Sequence, residues 1–190
     1  MLLLGSGSST RAEILKKYGI SFRQEACGFD EEKIDHSVPK NFVYHATMGK
    51  LAACESKLGL EIPILCADTV VTAHGEILRK AFDIDDARRI LQMQSGSEVS
   101  IVTCMAYKST RKTFIDLSDT VYLFEPFDPE DLERYLQSGE WRGKAGACMV
   151  EGFCKRYIKS VRGYESCAMG LTIEKLVPWL EEKIPSKGRQ

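Results

Sequence analysis

Residues 62–72 have the sequence Ile-Pro-Ile-Leu-Cys-Ala-Asp-Thr-Val-Val-Thr and form the most strand-like stretch of the chain. Its mostly apolar, β-branched character is typical of a buried strand. One acid, Asp68, interrupts it at the end of the apolar part. Because a lone buried carboxylate is costly, we expect Asp68 to lie at a strand end in a cleft, as a base or a metal ligand. A carboxylate that only caps a loop is the alternative.

The elements on either side of this strand predict the fold class. The pattern predicts strands over 1–4, 20–26, 76–78, 98–108, 113–124 and 157–161, and helices from Thr10 to Gly19, over 39–58, 85–94 and 129–136, and from Gly170 or Leu171 to Lys183. Helices and strands alternate first and hairpins follow. This order predicts an α/β fold with a mixed, twisted β-sheet flanked by helices. With no repeat and no linker, we expect one domain over 1–184 and a loose tail over 185–190.

Composition excludes several classes of protein. The 190 residues are 44% apolar and 28% charged, with a net charge of −1, as is ordinary for a soluble globular protein. The sequence lacks the excess of basic residues that would indicate a nucleic-acid partner, and we expect none. No apolar run approaches the ~20 residues that a membrane span needs. The start lacks the pattern of a signal peptide, so we expect a cytoplasmic protein. The seven cysteines form no Cys-x-x-Cys pair, and we expect them to be reduced, mostly buried thiols.

A candidate phosphate-binding loop follows the first predicted strand. Residues 5–11 have the sequence Gly-Ser-Gly-Ser-Ser-Thr-Arg and lead into a helix whose N-terminus favours anions. The hydroxyls of Ser6 and Ser8 can donate hydrogen bonds, and Arg11 can fork onto phosphate oxygens. A turn with a capped helix, through a capping box from Thr10 to Glu13, is the structural alternative.

Two lysines and an acidic loop complete the candidate residues. Lys50 lies in a predicted helix otherwise poor in charge, and Lys80 lies at a predicted strand end. The acidic residues 30–32 could help to hold a divalent cation. Solvated charges are the alternative for each of them.

Taken in order, these segments resemble the Maf family of nucleoside triphosphate pyrophosphatases. The family's opening motif, Leu-Ala-Ser-x-Ser-Pro-Arg-Arg-x-Glu-Leu-Leu, corresponds to residues 4–15, and its acidic turn corresponds to 28–31. Its Ala-Asp-Thr-Val-Val motif is complete at 67–71, and its Gly-x-x-Leu-x-Lys motif matches 75–80. The likeness continues through 95–96, 144–146 and 163–171. One arginine of the opening motif is replaced by Thr10, and Ala81 replaces the proline after Lys80.

The resemblance implies a two-lobed fold around a nucleotide cleft and hydrolysis of ordinary or non-standard nucleoside triphosphates to the monophosphate and pyrophosphate. It implies Asp68 as the catalytic base, Ser6, Ser8, Arg11, Lys50 and Lys80 as substrate-binding residues, and Mg²⁺ or Mn²⁺ held by Glu31 and Asp68. Water attack on the α-phosphate would rely on positioning and charge neutralisation.

Base choice stays open at this point. The positions that bear on it in the family are Thr10, Thr69 and Glu151. Members acting on uridine or thymidine triphosphates tend to have Arg, Thr and Gln there, and members acting on 7-methylguanosine triphosphate a bulky residue, Gln and Glu. This chain has a mixed set. The resemblance also leaves two other points open. The chain could form a homodimer. Its function could instead be that of a non-catalytic, nucleotide-binding regulator of cell division.

Overall fold

The computed structural model describes residues 1–31 and 34–180. Its strands are β1 (Leu2–Leu4), β2 (Phe22–Gln24), β3 (Ile64–Ala73), β4 (Glu76–Leu78), β5 (Glu98–Lys108), β6 (Thr113–Phe124) and β7 (Ile158–Arg162). The α-helices are α1 (Ser9–Lys17), α2 (Pro39–Leu58), α3 (Ile84–Gln94), α4 (Pro129–Ser138), α5 (Glu165–Ala168) and α6 (Ile173–Leu176), with 3₁₀ turns at Phe153–Tyr157 and Val177–Trp179. Among these described residues, no helix has the length and apolarity needed to cross a membrane.

All seven strands belong to one mixed sheet, as the sequence predicts. The strand order is β2-β1-β3-β5-β6-β7, and β4 pairs with β3. β1 lies parallel to both β2 and β3, whereas the other pairings are antiparallel. The early βα pattern therefore forms the parallel edge, and the later hairpins form the antiparallel part.

One edge of β3 has no paired strand in its middle part, and the candidate site lies at this part of the edge. On that edge β1 pairs only with Ile64 and Leu65, and β4 pairs only with residues 71–73. The opposite edge of β3 is paired along its whole length with β5. On the edge that β1 and β4 share, no strand of the described residues therefore pairs with residues 66–70, which include Asp68.

Helices cover both faces of the sheet and divide the core into two ends. α2 packs on one face through Phe42, Val43, Ala46, Leu51 and Cys54, against β3 and β5. α1, α6 and β1 form a cluster on the other face. The far ends of β3, β5 and β6 pack against α3, α4 and the segment from Trp141 to Cys154. The long strands thus join two lobes.

Three sequence-based predictions need correction. Asp68 lies in the middle of β3 and not at a strand end, because β3 continues to Ala73 as the partner of β5. α1 is capped by Ser8, whose Oγ accepts the N–H of Arg11 at 3.3 Å, and Thr10 lies inside the helix. β2 is limited to the three residues that pair with β1.

The predicted closing helix is broken into shorter pieces. α5, α6 and the 3₁₀ turn at Val177–Trp179 replace it in the described part of the chain. Gly170 has a φ of 96°, a left-handed conformation that ends regular structure between α5 and α6. Pro178 lacks the backbone N–H that a continuing helix needs. The end of that predicted helix, 181–183, and the predicted tail, 185–190, lie outside the described residues.

Candidate active site

The loop from Gly5 to Ser8 is pinned at the open edge of β3. The backbone N–H of Gly5 donates to the carbonyl oxygen of Leu65 at 2.8 Å. A Cβ at Gly5 would lie 2.5 Å from the Cys66 sulfur, so only glycine lets the chain approach this closely. The side chain of Gln24 donates to the Ser6 carbonyl at 2.8 Å, and the N–H of Ser8 donates to Ser6 Oγ at 3.3 Å. The loop is therefore held before any ligand arrives.

Lys50 joins the two predicted metal ligands. Its Nζ lies 2.7 Å from Asp68 Oδ1 and 2.6 Å from Glu31 Oε1. The side chain of Asp68 is 8% exposed and that of Lys50 is 18% exposed, whereas Glu31 is 43% exposed. α2 thus supplies a cation from one face of the sheet, and the acidic turn covers it from the solvent side.

Asp68 is a poorly solvated carboxylate with one free oxygen. Oδ2 is buried and has no hydrogen-bond partner among the described residues. Burial raises the pKa of Asp68 above its ordinary value, and the Lys50 ammonium opposes this rise. A carboxylate with a raised pKa is a stronger proton acceptor than an ordinary aspartate. This property corresponds to the role that the sequence predicts for Asp68.

Arg11 acts first as an internal support. Its Nε donates to the Gly170 carbonyl at 2.8 Å, one Nη to Ser6 Oγ at 3.0 Å, and the other Nη to Thr69 Oγ1 at 3.1 Å. Burial lowers the pKa of the guanidinium, and the negative charge of Asp68 opposes this. Three of its five N–H groups are thus committed within the protein. Its direct contact with phosphate stays a prediction.

Two pockets open on either side of this arrangement. A pocket of about 240 Å³ is lined by Ser6, Gly7, Gly28, Glu31 and Lys50, among others, and we name it the acidic-turn pocket. A pocket of about 360 Å³, which we name the wide pocket, has a longer lining. It contains Ser8, Arg11 and all three predicted base-reading residues, Thr10, Thr69 and Glu151.

Strand alternation explains the division of the site. Successive side chains of a strand point to opposite faces, so Asp68 and Thr69 cannot share one face. Asp68 meets Lys50 of α2, whereas Thr69 meets Arg11 of α1. The loop of Ser6–Ser8 contributes to both pockets at the open edge of β3.

Lys80 is the predicted residue whose placement supports its role least. It is exposed, and its backbone forms an isolated bridge with Ala145, which lines the wide pocket. The bridge brings the predicted motifs at 75–80 and 144–146 together. A contact of the Lys80 ammonium with phosphate stays a prediction.

The comparisons with known proteins agree with the resemblance. A family model described as Maf-like protein matches residues 1–183. The chain belongs to the Maf-like protein family. A nucleoside triphosphate pyrophosphatase of a Nitratiruptor species is 57% identical over 178 residues, covering 93% of this chain and 96% of the relative. Proteins of the same name from Helicobacter pylori (strain ATCC 700392 / 26695) and Campylobacter jejuni (strain 81-176) are 41% and 34% identical over 176 and 183 residues. The Helicobacter alignment covers 93% of each chain, and the Campylobacter alignment covers 95% of this chain and all of the relative.

The Maf site of this chain fits a divalent cation held jointly with substrate. Within residues 1–31 and 34–180 there is no group of three or more histidine, cysteine or acidic side chains that could hold a metal by itself. Asp68 nevertheless has an unpartnered buried oxygen, and Glu31 approaches the same ammonium. Mg²⁺ is commonly bound by one or two carboxylates together with substrate phosphates and water. Two carboxylates are therefore sufficient for that mode.

The prediction of reduced cysteines is wrong for four of the seven. Cys27 pairs with Cys54, and Cys148 pairs with Cys154. Cys66, Cys104 and Cys167 are free and buried. Burial raises the pKa of the Cys66 thiol to about 12, so it does not supply a thiolate nucleophile beside Asp68. The paired cysteines are distant in sequence or lie in an irregular segment, and no spacing rule indicates them.

Thr103 is the residue of this site that sequence reasoning misses. It is completely buried in β5, opposite Thr69 in the register of the two strands. Its Oγ1 lies 2.9 Å from Thr69 Oγ1 and donates to the Cys167 carbonyl at 2.8 Å. The only sequence signal is a hydroxyl residue within an apolar run, and that signal is weak without the strand register.

Proposed function

We propose that this protein is a nucleoside triphosphate pyrophosphatase that hydrolyses its substrate to the nucleoside monophosphate and pyrophosphate. The observation that carries the proposal is the carboxylate of Asp68, which has one oxygen bound to Lys50 and the other without a partner among the described residues. The names of the relatives and the match to the Maf-like family support the same reaction.

In this proposal Asp68 accepts the proton of the water that attacks the α-phosphorus. Burial raises its pKa, the Lys50 ammonium opposes this rise, and the hydrogen bond from Lys50 to Oδ1 orients the carboxylate. The ammonium of Lys50 then also neutralises part of the negative charge of the triphosphate. Nucleotidyl transfer depends mainly on such positioning and charge compensation. The Ser6–Ser8 loop adds hydrogen-bond donors at the start of α1.

We propose further that Mg²⁺ or Mn²⁺ is bound by Asp68 and Glu31 together with the triphosphate. The ion would polarise the phosphate and lower the pKa of a bound water. A buried carboxylate oxygen without a partner in the described part of the chain supports this assignment. Removal of divalent ions with a chelator should abolish pyrophosphate release. Addition of either Mg²⁺ or Mn²⁺ should restore it.

We propose the wide pocket as the site of the base, because Thr10, Thr69 and Glu151 all line it. An ionised carboxylate only accepts hydrogen bonds, so Glu151 favours bases that present N–H groups. Glu151→Gln should therefore shift the ratio of kcat/KM toward uridine and thymidine triphosphates by about 10- to 100-fold relative to guanosine triphosphate. An unchanged ratio would remove Glu151 from base recognition.

The reaction is tested with the purified chain, a panel of triphosphates and Mg²⁺ in water enriched in ¹⁸O. Pyrophosphate and monophosphate should be the products, and the label should appear in the monophosphate because the water attacks the α-phosphorus. Label in pyrophosphate would indicate attack at the β-phosphorus. Nucleotide binding without any hydrolysis would favour the non-catalytic regulator instead. The homodimer and the cytoplasmic location stay predictions.

A further inference from the structure

The hydroxyl groups of Thr69 and Thr103 form a directed chain that ends on the backbone. A threonine hydroxyl has a single proton to donate. The carbonyl of Cys167 can only accept, and it lies 2.8 Å from Thr103 Oγ1, which is an ordinary O–H···O distance. Thr103 therefore donates its proton to Cys167. In the reverse direction two oxygen atoms would face each other at that distance with no hydrogen between them.

This direction decides the role of Thr69. Because Thr103 has used its proton, it accepts in its 2.9 Å contact with Thr69, and Thr69 is the donor there. Arg11 is a cation without an acceptor, so it donates to Thr69 Oγ1 at 3.1 Å. The Thr69 hydroxyl thus has its proton and one lone pair engaged. Only one lone pair is left for a ligand in the wide pocket.

A second side chain of the wide pocket is limited in the same way. The amide NH₂ of Gln94 donates to the Gly146 carbonyl at 2.7 Å and to the Ile90 carbonyl at 3.3 Å. Only its carbonyl oxygen is left as a hydrogen-bonding group. Glu151 also contributes a carboxylate to the lining of this pocket. Ser8, Thr10, Arg11 and Lys144 also line the pocket and can donate, so the bias toward acceptors is confined to Thr69, Gln94 and Glu151.

We propose that Thr103 is a specificity-positioning residue that makes Thr69 an obligate hydrogen-bond acceptor toward the base. The inference rests on the proposed function, in which the wide pocket takes the base. A base that presents an amino or imino N–H to Thr69 gains a hydrogen bond. A base that presents a carbonyl oxygen meets a lone pair instead. The ligand class favoured is therefore a triphosphate whose base edge carries N–H donors.

The test compares pairs of substrates that differ in donors on the base. Guanosine and inosine triphosphates differ in the 2-amino group, and adenosine and purine riboside triphosphates differ in the 6-amino group. The wild-type protein should have a higher kcat/KM for the donor-bearing member of at least one pair. Thr103→Val keeps the shape but frees the Thr69 proton, so it should reduce that preference by about 3- to 10-fold, the size of one neutral hydrogen bond.

Two variants separate positioning from a general effect on structure. Thr103→Ser retains the hydroxyl and should restore the wild-type ratio. Thr120→Val removes a buried hydroxyl of β6 that donates to the Tyr164 carbonyl at 2.6 Å, and it should leave the ratio unchanged because that hydroxyl is bonded away from Thr69. Valine should be accepted at 103 because the Cys167 carbonyl also accepts the N–H of Gly170 at 2.9 Å. Thr103→Ala serves as the second variant if Thr103→Val does not fold.

Thr69→Val distinguishes the possible failures. A ratio that changes in Thr69→Val but not in Thr103→Val or Thr103→Ala would overturn the role of Thr103. A ratio unchanged in Thr69→Val would show that Thr69 does not contact the base, and the inference would fail while pyrophosphate release still upheld the proposed reaction. Absence of pyrophosphate release by the wild-type protein from every triphosphate would refute the proposed function itself.

Discussion

Replacement of Asp68 by asparagine tests the centre of the proposed mechanism. Asparagine has nearly the same shape, and its amide oxygen can still accept from Lys50, which lies 2.7 Å from Asp68 Oδ1. It cannot accept a proton from water at neutral pH. The change therefore removes the catalytic base and the negative charge that Asp68 would offer to the metal ion, while the contact with Lys50 stays in place.

The size of the effect follows from the chemistry of the site. Loss of a general base typically reduces kcat by about 10²- to 10⁴-fold, and 100-fold corresponds to about 2.7 kcal/mol in the barrier. Stability should change much less. The amide NH₂ at the place of Oδ2 has no acceptor among the described residues, which costs about 1–3 kcal/mol. Removal of a buried negative charge offsets that cost, so the Tm should move by less than about 8 °C.

The pH dependence adds a second readout of the same residue. Asp68 must be ionised to accept a proton, and burial raises its pKa. Activity should therefore begin to fall, on acidification, at a pH above the ordinary aspartate value of about 3.9. An acid with a raised pKa in the folded state stabilises the fold when protonated, and this stabilisation is lost as the pH rises through that pKa. Asparagine does not titrate, so only the wild-type protein loses this stabilisation. The Tm of Asp68→Asn minus that of wild type should therefore rise as the pH increases from about 3.9 through the raised pKa of Asp68.

The assay is pyrophosphate release at saturating triphosphate, together with thermal unfolding of each variant. Asp116→Asn is the matched control, because Asp116 of β6 is also a mostly buried aspartate, 11% exposed, and lies 2.8 Å from the ammonium of Lys175, outside the site. Its kcat should stay within about threefold of wild type. Wild-type turnover in Asp68→Asn, or an equal loss in both variants, would refute the assignment of Asp68 as the base.

Two further perturbations address the cation and the disulfides. Lys50→Met should lower kcat/KM by about 30- to 150-fold and move the acidic limb of the pH profile to higher pH, because the ammonium opposes the raised pKa of Asp68. Lys108→Met, which removes a comparable ion pair with Glu55, should do neither, and an unshifted limb in Lys50→Met would contradict this account. In a variant that carries Cys148→Ser and Cys154→Ser, reduction of the bond between Cys27 and Cys54, 27 residues apart, should lower the free energy of unfolding by about 3–4 kcal/mol in urea titrations with and without reductant. Identical unfolding curves would mean that this bond contributes nothing to stability.

The sequence predicts most of the fold because local signals and tertiary packing agree. The hairpin strands at 98–108 and 113–124 have the predicted bounds, and α2 begins at Pro39 and ends before Gly59 as expected. Errors lie where local signals are ambiguous. Ser8 and Thr10 both have the chemistry of a helix cap, and only the geometry of the loop decides between them.

The site could be predicted only as far as single residues carry a signal. An acid within an apolar strand indicates Asp68, and a lysine in a helix poor in charge indicates Lys50, and the structure brings these two together. The internal bonds of Arg11 and the contact between Thr69 and Thr103 depend on strand register and on the turn at Gly170. Sequence spacing contains no information on either of them.

The position of Asp68 next to Thr69 explains how one strand can serve two recognition tasks. The alternation of β3 directs Asp68, the proposed catalytic base, toward Lys50 on the α2 face. It directs Thr69, which is proposed to contact the nucleobase, toward Arg11 on the other face. Changes at Thr10, Thr103 or Glu151 can therefore alter the polarity of the wide pocket without touching the carboxylate. Arg11 is the exception, since it joins Ser6 of the loop to Thr69 and carries a charge that acts on Asp68. A variant of Arg11 should thus affect base preference and turnover together, whereas a variant of Thr103 should affect preference alone.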